Sequence, residues 1–149
     1  MGDTFTNLVF HVVFSTKERV PLISGEFQER LYDYIGGVVR GQGGALLEAG
    51  GMPDHIHLLA RFKADRSVAA MVRFIKCNST GWWKLEQRPP KSFSWQVGYA
   101  AFSVSESQVP VVRGYIRNQE AHHAKAPFRD ELIALLGKNG ISFEEKYLL

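Results

Sequence analysis

The chain of 149 residues has a single cysteine, and its apolar residues never gather in a long uninterrupted run. With Cys77 alone, an internal disulfide and a zinc site built from several cysteines are both excluded, which agrees with a reducing compartment. No stretch approaches the roughly 18 apolar residues that span a bilayer, and residues 1–3 do not open a signal peptide. We therefore expect a soluble, cytoplasmic protein that has no membrane partner.

Positive charge is in small excess: the formal net charge is +3 and the isoelectric point is about 9.1. A mildly basic balance is compatible with a polyanionic partner, but by itself it does not demonstrate one. The sequence has neither an internal repeat nor a low-complexity linker. We therefore expect residues 1–149 to form a single domain.

Hydrophobic periodicity predicts the order strand, helix, strand, strand, helix, strand, helix, helix. Ser24 and Ser67 are the predicted N-caps of the first two helices, and the pair Ser105 and Gln108 has the form of a capping box. The predicted strands are 5–15, 45–49, 54–62 and one or two within 95–104, and the later helices run from 105 to about 123 and from 128 to 136. This order favours an α+β sandwich of ferredoxin-like or RRM-like topology, with a mostly antiparallel sheet covered by helices on one face.

Two histidines stand near the start of the third predicted strand, in the segment Asp54-His55-Ile56-His57. Because side chains alternate along a strand, His55 and His57 share one face while the apolar residues between and after them form the core face. At this spacing both imidazoles could bind one divalent ion. Two half-exposed histidines without any ion are the alternative interpretation.

A second pair of candidates, Tyr115 and Gln119, is four residues apart on a predicted helix and therefore shares one face. A tyrosine can act as a nucleophile, and the amide oxygen of a glutamine can bind a hard metal ion. The alternative is that Tyr115 only extends the apolar stripe of this helix. His122 and His123 follow; they suit the C-terminal end of the helix dipole, and at most one of them should share the side of Tyr115 and Gln119.

Taken together, these segments resemble a known family. The string Asp54-His55-Ile56-His57 has the form of the HUH motif (histidine, hydrophobic residue, histidine), and Tyr115-Ile116-x-x-Gln119 is similar to the helix of its single-tyrosine members. Further blocks at 13–17, 74–79, 95–105 and 119–123 are also similar to segments of the same family. The sequence resembles the small single-tyrosine HUH transposases of the insertion-sequence 200/605 group over essentially its whole length.

The resemblance implies an RRM-like core that forms a homodimer by merging sheets, with the tyrosine of one subunit completing the partner's active site. By position, His55 and His57 match the two histidine ligands of a divalent metal, Mg²⁺ or Mn²⁺. Gln119 matches the third ligand, and Tyr115 matches the nucleophile. None of these four positions departs from the family's pattern.

The activity that the resemblance implies is cleavage and rejoining of single-stranded DNA at hairpin-bearing element ends. Tyr115 would form a 5′-phosphotyrosine and release a 3′-hydroxyl. Because a free tyrosine has a pKa near 10, a base or the metal must assist it, and the sequence does not identify the base. Candidate phosphate contacts are Lys17, Arg19, Lys76, Arg88 and Lys91, and Phe93, Trp95 and Tyr99 are candidates for stacking on bases.

Two other functions fit parts of the pattern. A non-catalytic RRM-type binding module would explain the fold, but Gly98-Tyr99-Ala100 matches an RNP1 string poorly and such a module would not need His55 and His57. A metallohydrolase would use both histidines with His122 or His123 to hold zinc, but it would leave Tyr115 without a role.

Overall fold

The computed structural model describes residues 2–86 and 93–148, in which strands and helices alternate much as the sequence predicts. The strands are β1 (Leu8–Ser15), β2 (Ala45–Met52), β3 (His55–Phe62) and β4 (Ala100–Val104). The helices are α1 (Gly25–Gly41), α2 (Val68–Leu85), α3 (Val109–Arg117), α4 (Gln119–His123) and α5 (Phe128–Lys138). The strands form one antiparallel sheet in the order β2-β3-β1-β4. No helix within the described ranges is long and apolar enough to cross a membrane.

One face of the sheet packs on α1 and α2 and forms the larger core. Phe14 of β1 and Ile56 and Leu58 of β3 are fully buried there against Ile35 and Ile75 of the two helices. Along both strands every second side chain is apolar and points to this face, as the alternation of side chains along a strand requires. The predicted α+β architecture with an antiparallel sheet is thereby confirmed.

Two of the aromatic residues considered for base stacking belong to the same core. The rings of Phe93 and Trp83 are parallel, with centroids 3.9 Å apart, and Phe93 is only 3% exposed. Trp95 is also buried and donates a hydrogen bond from its indole N–H to the Ser79 hydroxyl at 2.9 Å. The stacking prediction is therefore wrong for Phe93 and Trp95, because a core aromatic and a base-stacking aromatic look alike in sequence.

The opposite face of the sheet carries the histidines and is covered in turn by α3, α4 and α5. The pairing of β1 with β3 places Ser15 beside His55 and Val13 beside His57, so all four side chains lie on this face. The sequence predicts helices on one face of the sheet, whereas the structure has a second helical layer on the opposite face. This layer buries the apolar side chains of that face, Val9, Val13 and Leu59. The candidate site thus lies between the sheet and this second layer.

The helix predicted from residue 105 to about 123 is interrupted in the structure. Its backbone leaves helical geometry at Asn118, with φ −99° and ψ 27°, and this residue separates α3 from α4. The predicted capping box does not form, because the Ser105 side chain makes no capping hydrogen bond and its hydroxyl pairs with that of Ser107 instead. Ser67 does cap α2 by accepting a hydrogen bond from the N–H of Ala70, whereas Ser24 precedes α1 without such a bond.

Close packing of α3 on β2 gives a first prediction, for Gly50→Ala. A Cβ at Gly50 would lie 2.4 Å from the carbonyl oxygen of Ile116, so α3 must shift away from the sheet and carry Tyr115 with it. We expect a loss of about 1–3 kcal/mol in the free energy of unfolding, measured with urea. In the control, Gly114→Ala within α3, a Cβ meets nothing within 4 Å, and stability should rise by up to about 1 kcal/mol. Equal effects of the two changes would contradict this account of the packing.

Candidate metal and tyrosine site

Both histidines at the start of β3 are fully buried, and each is held through its Nδ1 atom. Nδ1 of His55 lies 2.7 Å from Oδ1 of Asp54, and Nδ1 of His57 lies 2.8 Å from Nε2 of His11. With these atoms engaged, Nε2 of His55 and Nε2 of His57 lie 3.4 Å and 3.1 Å from the same carboxylate oxygen, Oε1 of Glu131. The two imidazoles therefore present their Nε2 atoms to one common point.

The break at Asn118 brings the tyrosine and the glutamine to this point from α3 and α4. The hydroxyl of Tyr115 donates a short hydrogen bond to Oε2 of Glu131. The amide of Gln119 donates to the same oxygen at 3.0 Å, and its Oε1 lies 3.3 Å from Nε2 of His55. A single chain therefore brings together all four residues that the sequence singles out as catalytic or metal-binding.

The sequence interpretation missed Glu131, the residue on which these contacts converge. It lies on α5 among the buried residues Phe128, Leu132 and Leu136, and only 7% of it is exposed. The sequence signal that could have identified Glu131 is an acidic residue on the apolar side of a helix, three positions after Phe128. Such a carboxylate stays ionised in a core only when it is paired, so its position points to partners elsewhere in the chain.

His11, on β1, was also missed as part of the site. It is 4% exposed, and its ring stacks on that of His57 with centroids 5.1 Å apart. Alternation along β1 placed His11 on the less apolar face, but only the pairing of β1 with β3 shows which residue it meets. By holding Nδ1 of His57, His11 fixes the orientation of a candidate metal ligand.

The two histidines that follow Gln119 have different surroundings. Nε2 of His123 lies 3.2 Å from Oε1 of Gln119 and 3.1 Å from Oε1 of Glu131. The ring of His122 packs instead against Tyr115, with centroids 4.5 Å apart. Both are in the last turn of α4, and of the two only His123 contacts Glu131 itself among the described hydrogen bonds and ion pairs.

Glu131 and Tyr115 shift each other's ionisation. Burial alone would raise the pKa of Glu131, but hydrogen bonds from His55 and His57 outweigh it and hold this pKa far below its usual range. Burial, followed by the hydrogen bond to Glu131, raises the pKa of Tyr115 well above its ordinary value. At neutral pH the site therefore contains an ionised carboxylate and a neutral phenol whose proton is already directed at that carboxylate.

The histidines of the site also differ in the direction of their pKa shifts. Burial is the largest influence on His57 and lowers its pKa, while hydrogen bonds to Asp54 and Glu131 outweigh burial at His55 and raise its pKa. Burial, reinforced by the nearby His57, lowers the pKa of His11 to about 3. His11 is therefore neutral in the folded protein throughout the physiological range.

The lowered pKa of His11 predicts a loss of stability in acid. Between pH 6.5 and about 3 the unfolded chain binds a proton at His11 that the folded chain does not bind, so stability falls as the pH falls through this window. The slope from one such group is at most about 1.4 kcal/mol per pH unit. In urea unfolding with chelator present, His11→Phe should give a flatter dependence between pH 7 and 4.5 than the unchanged protein. An unchanged slope would contradict the assignment.

The donor set of this cluster fits a divalent metal ion. His55, His57 and Glu131 each offer one ligand atom, and these atoms lie within 4.8 Å of one another. Two imidazoles, a carboxylate and the amide oxygen of Gln119 make a mixed nitrogen and oxygen set of the kind that such ions accept. Among the described residues, the hydroxyl of Ser15, which pairs opposite His55, is the buried side-chain polar atom that has no hydrogen-bond partner.

The basic residues predicted to contact phosphates differ in their position relative to the site. Lys17 is exposed in the turn after β1, and Arg19 in the same turn lies over the ring of Phe128, 5.0 Å from its centroid. That ring stacks on His55, so Arg19 stands at the edge of the site. Lys76 is turned to the loop before β4, donating to the carbonyls of Gln96 and Gly98 at 2.8 Å and 2.6 Å. Arg88 and Lys91 lie outside the described residues.

Comparison with known proteins gives a consistent result. Residues 4–119 match the family described as "Transposase IS200 like". The ISDra2 transposase TnpA of Deinococcus radiodurans is 24% identical over 117 residues, which cover 75% of this chain and 84% of that protein.

Two solved structures share the fold. A crystal structure from Deinococcus radiodurans R1, described as that of a transposase, has a TM-score of 0.63 at 24% identity, covering 80% of this chain and 96% of that one. The REP-associated tyrosine transposase bound to a REP hairpin has a TM-score of 0.61 at 16% identity, covering 85% of this chain and 76% of that one. The family match spans both the histidine strand and the tyrosine helix, from residue 4 to Gln119, and the chain therefore belongs to the IS200-like transposase family.

Proposed function

We propose that this transposase cleaves and rejoins single-stranded DNA at hairpin-bearing element ends through a 5′-phosphotyrosine on Tyr115. The observation that carries this proposal is the position of the Tyr115 hydroxyl, which is joined through Glu131 to both His55 and His57. The DNA hairpin bound to the REP-associated relative supports a hairpin as the substrate here. The action on DNA and the single cysteine agree with a cytoplasmic location.

The metal of the proposed reaction, Mg²⁺ or Mn²⁺, would be held by His55, His57 and Gln119. When bound there, it would supply positive charge to offset the negative charge that builds up on the scissile phosphate. Asp54 and His11 would keep the two imidazoles oriented toward it through their Nδ1 atoms. Glu131 is near enough to join this set.

The covalent step is carried by Tyr115 and Glu131. The phenol oxygen attacks phosphorus and a bond forms between them, while the bond from phosphorus to the 3′ oxygen breaks; the departing 3′ oxygen takes a proton from water and leaves as a 3′-hydroxyl. Oε2 of Glu131 already accepts the phenol hydrogen bond and is therefore the nearest acceptor for the phenol proton. Because the pKa of Glu131 is held low and that of Tyr115 is raised, this transfer would occur only as the phenol oxygen bonds to phosphorus, which makes its proton more acidic. A second 3′-hydroxyl then loses its proton to water and attacks the phosphotyrosine; the bond from phosphorus to the phenol oxygen breaks, the tyrosine regains its proton from Glu131, and the new strand is joined.

Backbone contacts to the DNA are proposed for the basic residues that the sequence singles out. Lys17 and Arg19 follow β1 at the end of the sheet where His55 begins β3. Phosphates that approach His55 would pass these side chains, which position a strand without specifying its sequence. Lys76, Arg88 and Lys91 remain proposed contacts from the sequence.

We also propose that the enzyme acts as a homodimer with merged sheets and shared active sites. The outer edges of β2 and β4 have no partner strand within the described ranges, which leaves them available for pairing between subunits. In one chain, α3 packs on its own β2, so sharing requires α3 to exchange between subunits. Mixing inactive Tyr115→Phe and inactive His57→Ala chains should restore cleavage if sites are shared. If each chain serves its own site, the mixture should stay inactive.

The experiment that tests the reaction uses end-labelled single-stranded hairpin DNA carrying this element's own ends. It is incubated with the full chain and Mg²⁺ or Mn²⁺, and the products are separated on a denaturing gel. The expected result is a labelled band shifted by the mass of the protein and lost with chelator. Cleavage without a covalent band would favour the metallohydrolase, and binding without cleavage would favour the binding module.

A further inference from the structure

The turn that follows β1 contains two consecutive residues with a strained backbone. Among the non-glycine residues that the structure describes, only Glu18 and Arg19 have a positive φ, of 57° and 54°. This left-handed conformation is unfavourable for every L-residue that has a Cβ, and it persists only where surrounding contacts enforce it. Because strained residues gather at catalytic and ligand-binding sites, the turn is a candidate for a role in binding.

Hydrogen bonds hold the turn in this conformation. The side-chain oxygen of Gln96 accepts the backbone N–H of Glu18 at 3.3 Å. Within the turn, the N–H of Arg19 donates to the carbonyl of Thr16 at 3.0 Å, and the Thr16 hydroxyl donates to the carbonyl of Val20 at 2.8 Å. Thr16 is fully buried, so the turn is anchored directly to the end of β1.

Gln96 is itself held in place on both sides. Its backbone N–H donates to the carbonyl of Ser15 at 2.9 Å, and its own carbonyl accepts a hydrogen bond from Nζ of Lys76 at 2.8 Å. With both backbone groups engaged, the side chain of Gln96 presents its oxygen to Glu18 from a fixed base. Gln96 therefore sets the position of the strained turn relative to the sheet.

The strained turn directs the side chain of Arg19 over the candidate site. Its guanidinium carbon lies 5.0 Å from the centroid of the Phe128 ring, and that ring stacks on His55 with centroids 4.0 Å apart. Arginine side chains combine stacking on an aromatic ring with bidentate binding of phosphate. Because a whole aromatic ring separates Arg19 from His55, this cation suits a phosphate next to the cleaved one rather than the cleaved phosphate itself.

We propose that residues 16–19 form a preformed phosphate clamp for the DNA backbone beside the cleaved bond, with Arg19 as the contacting residue and Gln96 as the positioning residue. The turn is ordered before DNA arrives, so binding does not have to order it. This inference rests on the proposed function for its DNA substrate. It adds the residue that presets the contact and the reason that the backbone is strained.

The first test compares two changes at Glu18, which is exposed. Glu18→Gln removes the negative charge and keeps the left-handed strain, whereas Glu18→Gly removes both. Relative to Glu18→Gln, we expect Glu18→Gly to raise the melting temperature by up to about 4 °C. It should nevertheless bind labelled oligothymidylate about fivefold or more weakly, because the turn is no longer preformed. Circular dichroism and fluorescence anisotropy measure the two effects, and a folding defect cannot produce this pair of opposite changes.

The second test removes the contacting cation. Arg19→Gln should weaken oligothymidylate binding by about tenfold and reduce the slope of log affinity against log salt by about one. The matched control is Lys138→Gln, which removes one positive charge from an exposed position at the end of α5 and should leave the affinity nearly unchanged. Equal binding by Glu18→Gly and Glu18→Gln, or equal losses in Arg19→Gln and Lys138→Gln, would overturn the inference.

The third test concerns the positioning role of Gln96. Gln96→Ala removes the acceptor of the Glu18 N–H and should weaken oligothymidylate binding as Glu18→Gly does. In the cleavage assay it should raise KM for DNA and leave kcat nearly unchanged, since the clamp holds the substrate and the transition state equally. Normal binding by Gln96→Ala would remove this residue from the clamp.

The cleavage assay also separates this inference from the proposed function. A phosphotyrosine band from the unchanged chain, together with an Arg19→Gln chain that binds oligothymidylate normally, would sink the clamp alone. Oligothymidylate binding that depends on Arg19 and on the strained turn, with no phosphotyrosine band from any element-end DNA, would support the clamp and reject the strand-transfer proposal.

Discussion

Tyr115→Phe is expected to abolish the covalent protein–DNA band and to reduce strand cleavage by at least about a thousandfold. The change removes the only atom in the cluster that can form the phosphotyrosine, while the ring can keep its contacts with His57 and His122. Stability should change by only about 1 kcal/mol, because Glu131 retains hydrogen bonds from the histidines and Gln119. The measurements are the denaturing gel, DNA binding by gel shift, and urea unfolding.

A matched control for this loss is Tyr147→Phe, at an exposed tyrosine near the end of the chain. It removes the same hydroxyl group from a different place and should leave cleavage and the covalent band unchanged. If Tyr115→Phe cleaves DNA as well as the control, water is the nucleophile. The site would then be a metallohydrolase that uses His55, His57 and His123.

His57→Ala is expected to weaken metal binding by more than roughly a hundredfold and to remove cleavage with it. His57 is fully buried, so its loss takes away a ligand that no solvent-exposed side chain can replace. It also leaves Nε2 of His11 and Oε1 of Glu131 without their contact to this imidazole. We expect an accompanying loss of about 1–3 kcal/mol in the free energy of unfolding.

Calorimetry with Mn²⁺ and urea unfolding measure the two effects of His57→Ala separately. Leu85→Ala, at an exposed apolar residue at the end of α2, is a control that should bind the ion normally. Unchanged Mn²⁺ affinity in a folded His57→Ala chain would show that the ion lies elsewhere, and the proposed site would have to be abandoned.

The sequence by itself determined which side chains share a face. Alternation along β3 places His55 and His57 together and sends Ile56 and Leu58 to the core, whatever the rest of the chain does. The spacing of Tyr115 and Gln119 likewise brings them to one side of a helix, and both reach the site although the backbone breaks between them at Asn118. These are local properties of backbone geometry, and the resemblance to the HUH transposases added the roles proposed for these four side chains.

Only the tertiary structure decided what those faces meet. Glu131 reaches His57 across 74 residues of sequence, because α5 packs its apolar side on the histidine face of the sheet. His11 meets His57 across 46 residues, through the register of β1 against β3. Periodicity predicts that a face will be buried but not against which partner, because the partner depends on long-range packing of helices on the sheet. For that reason the sequence predicted the histidine pair and the tyrosine, and the structure alone supplied the carboxylate at their centre.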